Sequence, residues 1–212
     1  MKTLLRESLT TSLNLLAFSV IGAALLVLAY NATHAAIEAS ETASKQALLA
    51  QTLPQGGFDN DLVRAARPVP ADPLLGLKRP GLAYPARLGG APAGVVLEVV
   101  APDGYSGEIR LLVGVLADGR IGGVRVTAHR ETPGLGDYID IAKGNWITQF
   151  VGKSAQEPGA EGWKVKKDGG RFDYAAGATI TPRAVVKAVY GALRYFEAHR
   201  AELLQPTEAS QP

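Results

Sequence analysis

No cysteine occurs anywhere in the 212 residues of the chain. Disulfides, thiolate-bound iron–sulfur clusters and cysteine nucleophiles are therefore excluded. Histidine is nearly as scarce: His34, His129 and His199 lie in different segments and form no spaced pair, so no metal site is expected. Neither sign of charge dominates, because 22 basic and 20 acidic residues leave a net charge of +2. That balance gives no reason to expect nucleic acid as a partner. The dinucleotide fingerprint is missing, since Gly134-x-Gly136 lacks its third glycine, and no Gly-Lys-Ser or Gly-Lys-Thr occurs. Direct binding of NADH or ATP is not expected. No Ser/His/Asp arrangement can be assigned, Asp137 and Asp140 are expected to face solvent or cap a helix, and no catalytic residue is expected.

Charge is also absent from one long stretch. From Leu13 to Tyr30 only Asn14 and Ser19 interrupt an apolar series, enough with its flanks to span a hydrocarbon core of about 30 Å. This predicts one transmembrane helix over residues 13–30. Lys2 and Arg6 precede it and Glu38 and Glu41 follow, so residues 1–12 are expected in the cytoplasm and the remainder outside the membrane. A cleaved signal peptide ending near Thr33-His34-Ala35 is the competing reading, but the run exceeds the roughly 7–15 residues of a signal core. Either reading exports the domain.

Residues 31–93 read as a helical extension followed by a proline-rich connector. Ala36 to Leu53 has the composition of a helix leaving the bilayer. Seven of the thirteen prolines then fall between Pro54 and Pro92, which argues against long regular elements there. Gly94–Val100, Ile109–Leu116 and Ile121–Ala128 are predicted strands, the last two joined at Asp118-Gly119, a strong hairpin signal. Ile139–Val151 is expected to be a helix or an apolar lid, and Trp163–Phe172 a strand or hairpin about Asp168-Gly169-Gly170. The cluster Lys164, Lys166, Lys167 and Arg171 reads as a solvated face. The predicted class is α+β: an antiparallel sheet with packed helices over residues 94–204, and an unstructured tail over 205–212.

The last helix begins at an informative junction, Gly177-Ala178-Thr179-Ile180-Thr181-Pro182. Thr181 stands where an N-cap belongs, with Pro182 at the first helical position, and Val185, Ala188, Val189, Ala192, Leu193 and Phe196 follow at helical spacing. A helix start favours an anion, and Gly177 lets the backbone approach one closely. Local physics alone leaves two readings open, a simple cap and a phosphate site. Upstream, Glu131-Thr132-Pro133-Gly134-Leu135-Gly136 is by itself a turn, with Pro133 and Gly134 suited to type II geometry.

Taken together, in this order and spacing, the two segments resemble the FMN-binding domain family of membrane electron-transport subunits. The resemblance extends over about residues 94–200, including Gly104-Tyr105-Ser106-Gly107. In that family a Gly-Ala-Thr-x-Thr element carries FMN as a phosphoester on its last threonine, which implies covalent FMN on Thr181. It further implies that Gly177, Ala178 and Thr179 shape the phosphate loop and that Glu131, Thr132 and Leu135 border the flavin ring. The family pattern usually has Ser or Thr before the glycine, where this chain has Ala176. Within the family the chain is most similar to the G subunit of Rnf-type complexes. That implies an inner-membrane electron carrier with a periplasmic domain, matured by a flavin transferase. Its partners would be the other subunits of a complex coupling electron transfer between NAD(H) and ferredoxin to ion translocation. Two alternatives stand beside it: the C subunit of the sodium-translocating NADH:quinone oxidoreductase, and a flavin-free anchored scaffold.

Overall fold

The computed structural model describes the backbone of residues 2–205, with side chains described outside 2–11 and 35–38. Of the expected tail, residues 206–212 lie outside the described range. The first element is helix α1, Lys2–Ala50. It contains no proline, and the first one, Pro54, follows its end. Among the described residues it is the one helix long and apolar enough to cross a membrane, over Ser12–Ala50. Leu15, Phe18 and Leu26 in the predicted span are all exposed, as a bilayer-facing surface requires.

Among the described residues, those up to Ser44 form one compact unit and those from Lys45 onward a second. The second unit is built on a five-stranded antiparallel meander of β1 (Arg67–Val69), β2 (Gly81–Leu88), β3 (Ala91–Gly104), β4 (Gly107–Leu116) and β5 (Ile121–Ala128), in that spatial order. β5 has the bounds the sequence predicts. The Asp118-Gly119 turn closes as expected: Gly119 adopts φ +91° and its N–H donates to Leu116 O at 2.9 Å.

Alternation divides the sheet between two cores. Val95, Leu97, Val99, Ile109, Leu111 and Val113 face one side, where helix α2 (Ile180–Leu204) buries Val185, Val189, Leu193 and Phe196. Tyr84, Val96 and Leu112 face the other, against Leu49, Leu53 and Leu62. On that second side the chain leaving α1 enters a notch made by glycine. A Cβ at Gly114 would lie 2.0 Å from Thr52 O, and one at Gly123 3.0 Å from Thr52 Cα.

The proline-rich stretch departs from expectation by contributing β1 and β2. Pro85 sits inside β2, but β1 pairs only with Gly81–Ala83, so this part of β2 has a free side. Pro85 O accepts the Asn60 side-chain N–H at 3.0 Å on that side. In an antiparallel strand the N and O of one residue point the same way, so the missing proline N–H falls where no ladder bond is made.

Residues 137–172 also differ from the prediction of a helix or lid followed by a hairpin. They form short 3-10 turns at Asp137–Ile139, Trp146–Phe150, Ala160–Gly162 and Lys166–Asp168, plus one bridge between Val165 and Phe172. Aromatic packing replaces a backbone ladder here. Phe150 lies 4.9 Å from Phe172, 5.5 Å from Trp146 and 6.1 Å from Trp163 between ring centroids, and Trp163 stacks on Tyr190 of α2 at 5.4 Å. The basic cluster beside it is solvated and paired, Lys164 with Glu161 at 2.7 Å and Lys166 with Asp173 at 2.5 Å.

Candidate functional site

Two glycine turns flank the start of α2. In the first, Leu135 N–H donates to Thr132 O at 3.1 Å and Gly134 takes φ +76°, as a type II turn with Pro133 at its second position requires. Asp137 holds this turn by accepting the Gly134 N–H at 2.8 Å. Of the two roles expected for it, facing solvent or capping the following helix, it takes neither: it is buried, and the residue before it is the N-cap. In the second turn Ala178 N–H donates to Ala175 O at 3.1 Å and Gly177 takes φ +87°. Tyr138 fastens this loop: its hydroxyl accepts the Ala175 N–H at 3.2 Å and donates to Ala178 O at 3.5 Å. Burial pushes the Tyr138 pKa up, so the hydroxyl stays protonated. Trp146 does not line the groove between the turns; its indole N–H donates to Asp173 O at 2.7 Å and its ring packs on Phe150.

The helix start differs from the sequence expectation. α2 begins at Ile180 with Thr179 as N-cap, and Thr179 makes no side-chain capping bond. Thr181 is thus inside the first turn, and Pro182 is tolerated there because the first N–H groups of any helix lack an intrahelical acceptor. Thr181 is released from capping for another contact. Only 1% exposed, it donates its hydroxyl to Glu131 Oε2 from fifty residues away. Glu131, 4% exposed, accepts the Ser106 N–H on its other oxygen at 3.1 Å, and its own N–H donates to His129 Nδ1 at 3.1 Å. His129 thus steadies the backbone at Glu131. Gly136 makes the approach possible: a Cβ there would lie 2.9 Å from Glu131 Oε2 and 3.1 Å from Thr181 Oγ1.

Around this pair lies a groove of about 190 Å³ lined by Tyr105, Glu131, Thr132, Leu135, Gly136 and the run Gly177 to Thr181. All seven residues singled out in the sequence therefore meet on one groove. Tyr105, Gly136 and Ile180 were not singled out. All three lie within quoted motif segments, but nothing local marks them as lining residues. Ala176 is exposed and is not among the lining residues, so the hydroxyl it lacks would not face the groove.

The FMN-binding domain family matches residues 104–194, which contain every residue of the groove. Along the whole chain, the G subunit of an ion-translocating oxidoreductase complex from Pseudomonas aeruginosa (strain UCBPP-PA14) is 51% identical over 205 residues, covering 97% of this chain and 96% of the relative. The chain belongs to this family of G subunits. Its members include one from Cereibacter sphaeroides (strain ATCC 17029), 48% identical over 89% of this chain and 84% of the relative. Another, from Aliivibrio fischeri (strain MJ11), is 43% identical over 92% of each chain. The family is the Rnf-type one that the sequence resemblance indicated, so the chain carries an FMN-binding domain behind an apolar helix.

The residues present fit such a cofactor at its phosphate end. The first turn of α2 lacks a side-chain cap, carries the positive end of a 25-residue helix, and adjoins a loop whose Gly177 leaves open space where a Cβ would stand. Arg183, also in that turn, is tied to Asp168 by hydrogen bonds of 2.5 and 2.6 Å. The Arg183 bond holds the Asp168 pKa below the usual carboxylate range. Its stabilising contribution is therefore present above roughly pH 4, the ordinary carboxylate value, and is lost as pH falls through the lowered one. Asp168→Asn should remove this acid-side dependence with little change at neutral pH, because the pair is exposed and screened by salt. Melting temperatures taken across an acid titration at low and high salt will read it.

Proposed function

We propose that the chain is the membrane-anchored electron carrier of an Rnf-type complex, with FMN joined through its phosphate to Thr181 Oγ. The observation that supports this reading most is the convergence of two distant segments: Thr181 lies at the start of α2 in a groove with Gly177, Ala178, Thr179, Thr132 and Leu135. Gly177, Ala178 and Thr179 hold the phosphate beside the helix dipole. Thr132 supplies a polar border, and Leu135, 54% exposed, offers an apolar surface for the ring. Bound FMN supplies the electron-carrying chemistry, and the protein positions it and tunes its potential. The domain itself needs no acid–base machinery for that task.

The chain is held in the inner membrane by α1, with its N-terminus in the cytoplasm and the FMN-binding domain in the periplasm, following the placement of Lys2 and Arg6. A flavin transferase attaches the cofactor, and the other subunits exchange electrons with it while NAD(H) and ferredoxin chemistry drives ion translocation. Intact mass of the denatured protein from its native membrane, with peptide mapping over residues 172–194, tests the attachment. An added esterified FMN at Thr181 is expected. An unmodified peptide from flavin-replete cells would overturn the reading in favour of a flavin-free scaffold.

Gly136 gives a milder test of the same geometry. Gly136→Ala places a methyl against both Glu131 and Thr181, so it should fold yet accept less flavin. The ratio of modified to unmodified peptide, compared with wild type under equal coexpression of the transferase, measures the loss.

A further inference from the structure

Glu131 has a feature that ring contact does not explain. Its carboxylate is 4% exposed and is directed at Thr181 Oγ, the atom assigned to the ester, rather than along the groove. Burying a carboxylate is costly unless it is hydrogen-bonded. Here Ser106 N–H, at 3.1 Å, engages Oε1, and the Thr181 hydroxyl engages Oε2. Two glycines keep room for it: Gly136 as described, and Gly104, where a Cβ would lie 3.0 Å from Oε1. A hydroxyl donating to a carboxylate that is itself oriented by a third group is the arrangement of an activated nucleophile and its general base.

We infer that Glu131 is the general base for esterification of Thr181, so that the acceptor chain supplies part of the catalytic machinery for its own modification. This rests on the reading of Thr181 as the FMN attachment residue. The donor must be a flavin nucleotide in which the FMN phosphate is activated as a phosphoanhydride to a nucleoside monophosphate, since FMN alone offers no adequate leaving group. Thr181 Oγ forms the new bond to the flavin-side phosphorus. The phosphoanhydride P–O bond breaks, and the nucleoside monophosphate departs with the bridging oxygen and its electron pair. The hydroxyl proton passes to Glu131 Oε2, and nothing is oxidised or reduced. Protonation of Glu131 also spares the new phosphodiester a second buried negative charge beside it.

The test uses full-length chain from cells lacking the transferase, incubated with purified transferase and flavin dinucleotide, with covalent FMN followed by intact mass. Glu131→Gln is nearly isosteric, and with its oxygen on Ser106 N–H it turns an N–H donor toward Thr181. The attachment rate is expected to fall by about 100-fold or more, with the melting temperature close to wild type. The Gln variant should gain rate with hydroxide, whereas the wild-type rate should depend less on hydroxide because an internal base stands in for it. Glu131→Asp should recover part of the rate. Wild-type rates in Glu131→Gln overturn the inference, as does a Glu131→Asp variant as slow as Gln with an unchanged pH profile, which marks a purely positioning role. Failure of the wild-type chain itself to take flavin, while a control acceptor is modified, instead removes the attachment reading at Thr181.

Discussion

Thr181→Ala abolishes denaturation-resistant flavin while the domain remains folded. The ester needs an oxygen at this position, and alanine offers none. The change also leaves a buried Glu131 oxygen without its hydroxyl donor, at a cost of about 1–3 kcal/mol. Part of that cost is offset, because alanine is the better helix former inside α2. Thr181→Ser keeps the hydroxyl and should keep the flavin. In-gel fluorescence after denaturing electrophoresis, backed by intact mass, reads all three proteins. Flavin persisting on Thr181→Ala would move the attachment to Thr179, the groove's other threonine at this helix start, whose hydroxyl makes no capping bond.

Phe150→Ala carries the largest expected effect on stability. Phe150 is fully buried and lies against Trp146, Trp163 and Phe172. Removing a buried phenylalanine ring costs about 3–5 kcal/mol. At roughly 2–4 °C per kcal/mol for a domain of this size, the melting temperature should fall by about 6–20 °C. The cost should be hard to recover, because residues 137–172 have 3-10 turns and a single bridge in place of a ladder. The damage should reach the groove as well. Trp146 donates to Asp173 O and Gln149 accepts the Asp173 N–H at 2.9 Å, so the turn carrying Phe150 also holds the start of the loop that leads to Gly177. Val151→Ala, at an exposed neighbouring position, should shift stability by no more than about 0.5 kcal/mol. Calorimetry on both variants, with flavin content measured in parallel, checks the comparison.

What was legible in the sequence was local. The apolar series at Leu13–Tyr30, the hairpin at Asp118-Gly119, the strand Ile121–Ala128 and the turn at Pro133-Gly134 each follow from side-chain hydropathy or from a backbone conformation that one residue type favours. The two motif segments were legible through their resemblance, in order and spacing, to a known family. Proline was misleading where its effect depended on surroundings: Pro85 argues against a strand only if its N–H is needed, and only the short reach of β1 makes it unnecessary. The start of α2 was misplaced because Pro182 is compatible with several positions in a first turn. Glu131 was recognised as a site residue, but nothing near it in sequence indicates that its carboxylate meets Thr181.

By itself, then, the sequence determined the apolar helix, the strands β3 to β5 and the Asp118-Gly119 turn, because each depends on neighbours within a few positions, while the resemblance of two motif segments to a known family pointed to seven of the groove residues. The tertiary structure alone decided that Thr181 leaves the cap and meets Glu131, that Ser106 N–H and two glycines hold that carboxylate in place, and that Gly114 and Gly123 receive Thr52. Apart from Gly136, which is close to Glu131 in sequence, these contacts join residues 25 or more positions apart. Packing of the sheet against its two cores brings them together, and no local propensity encodes such a meeting.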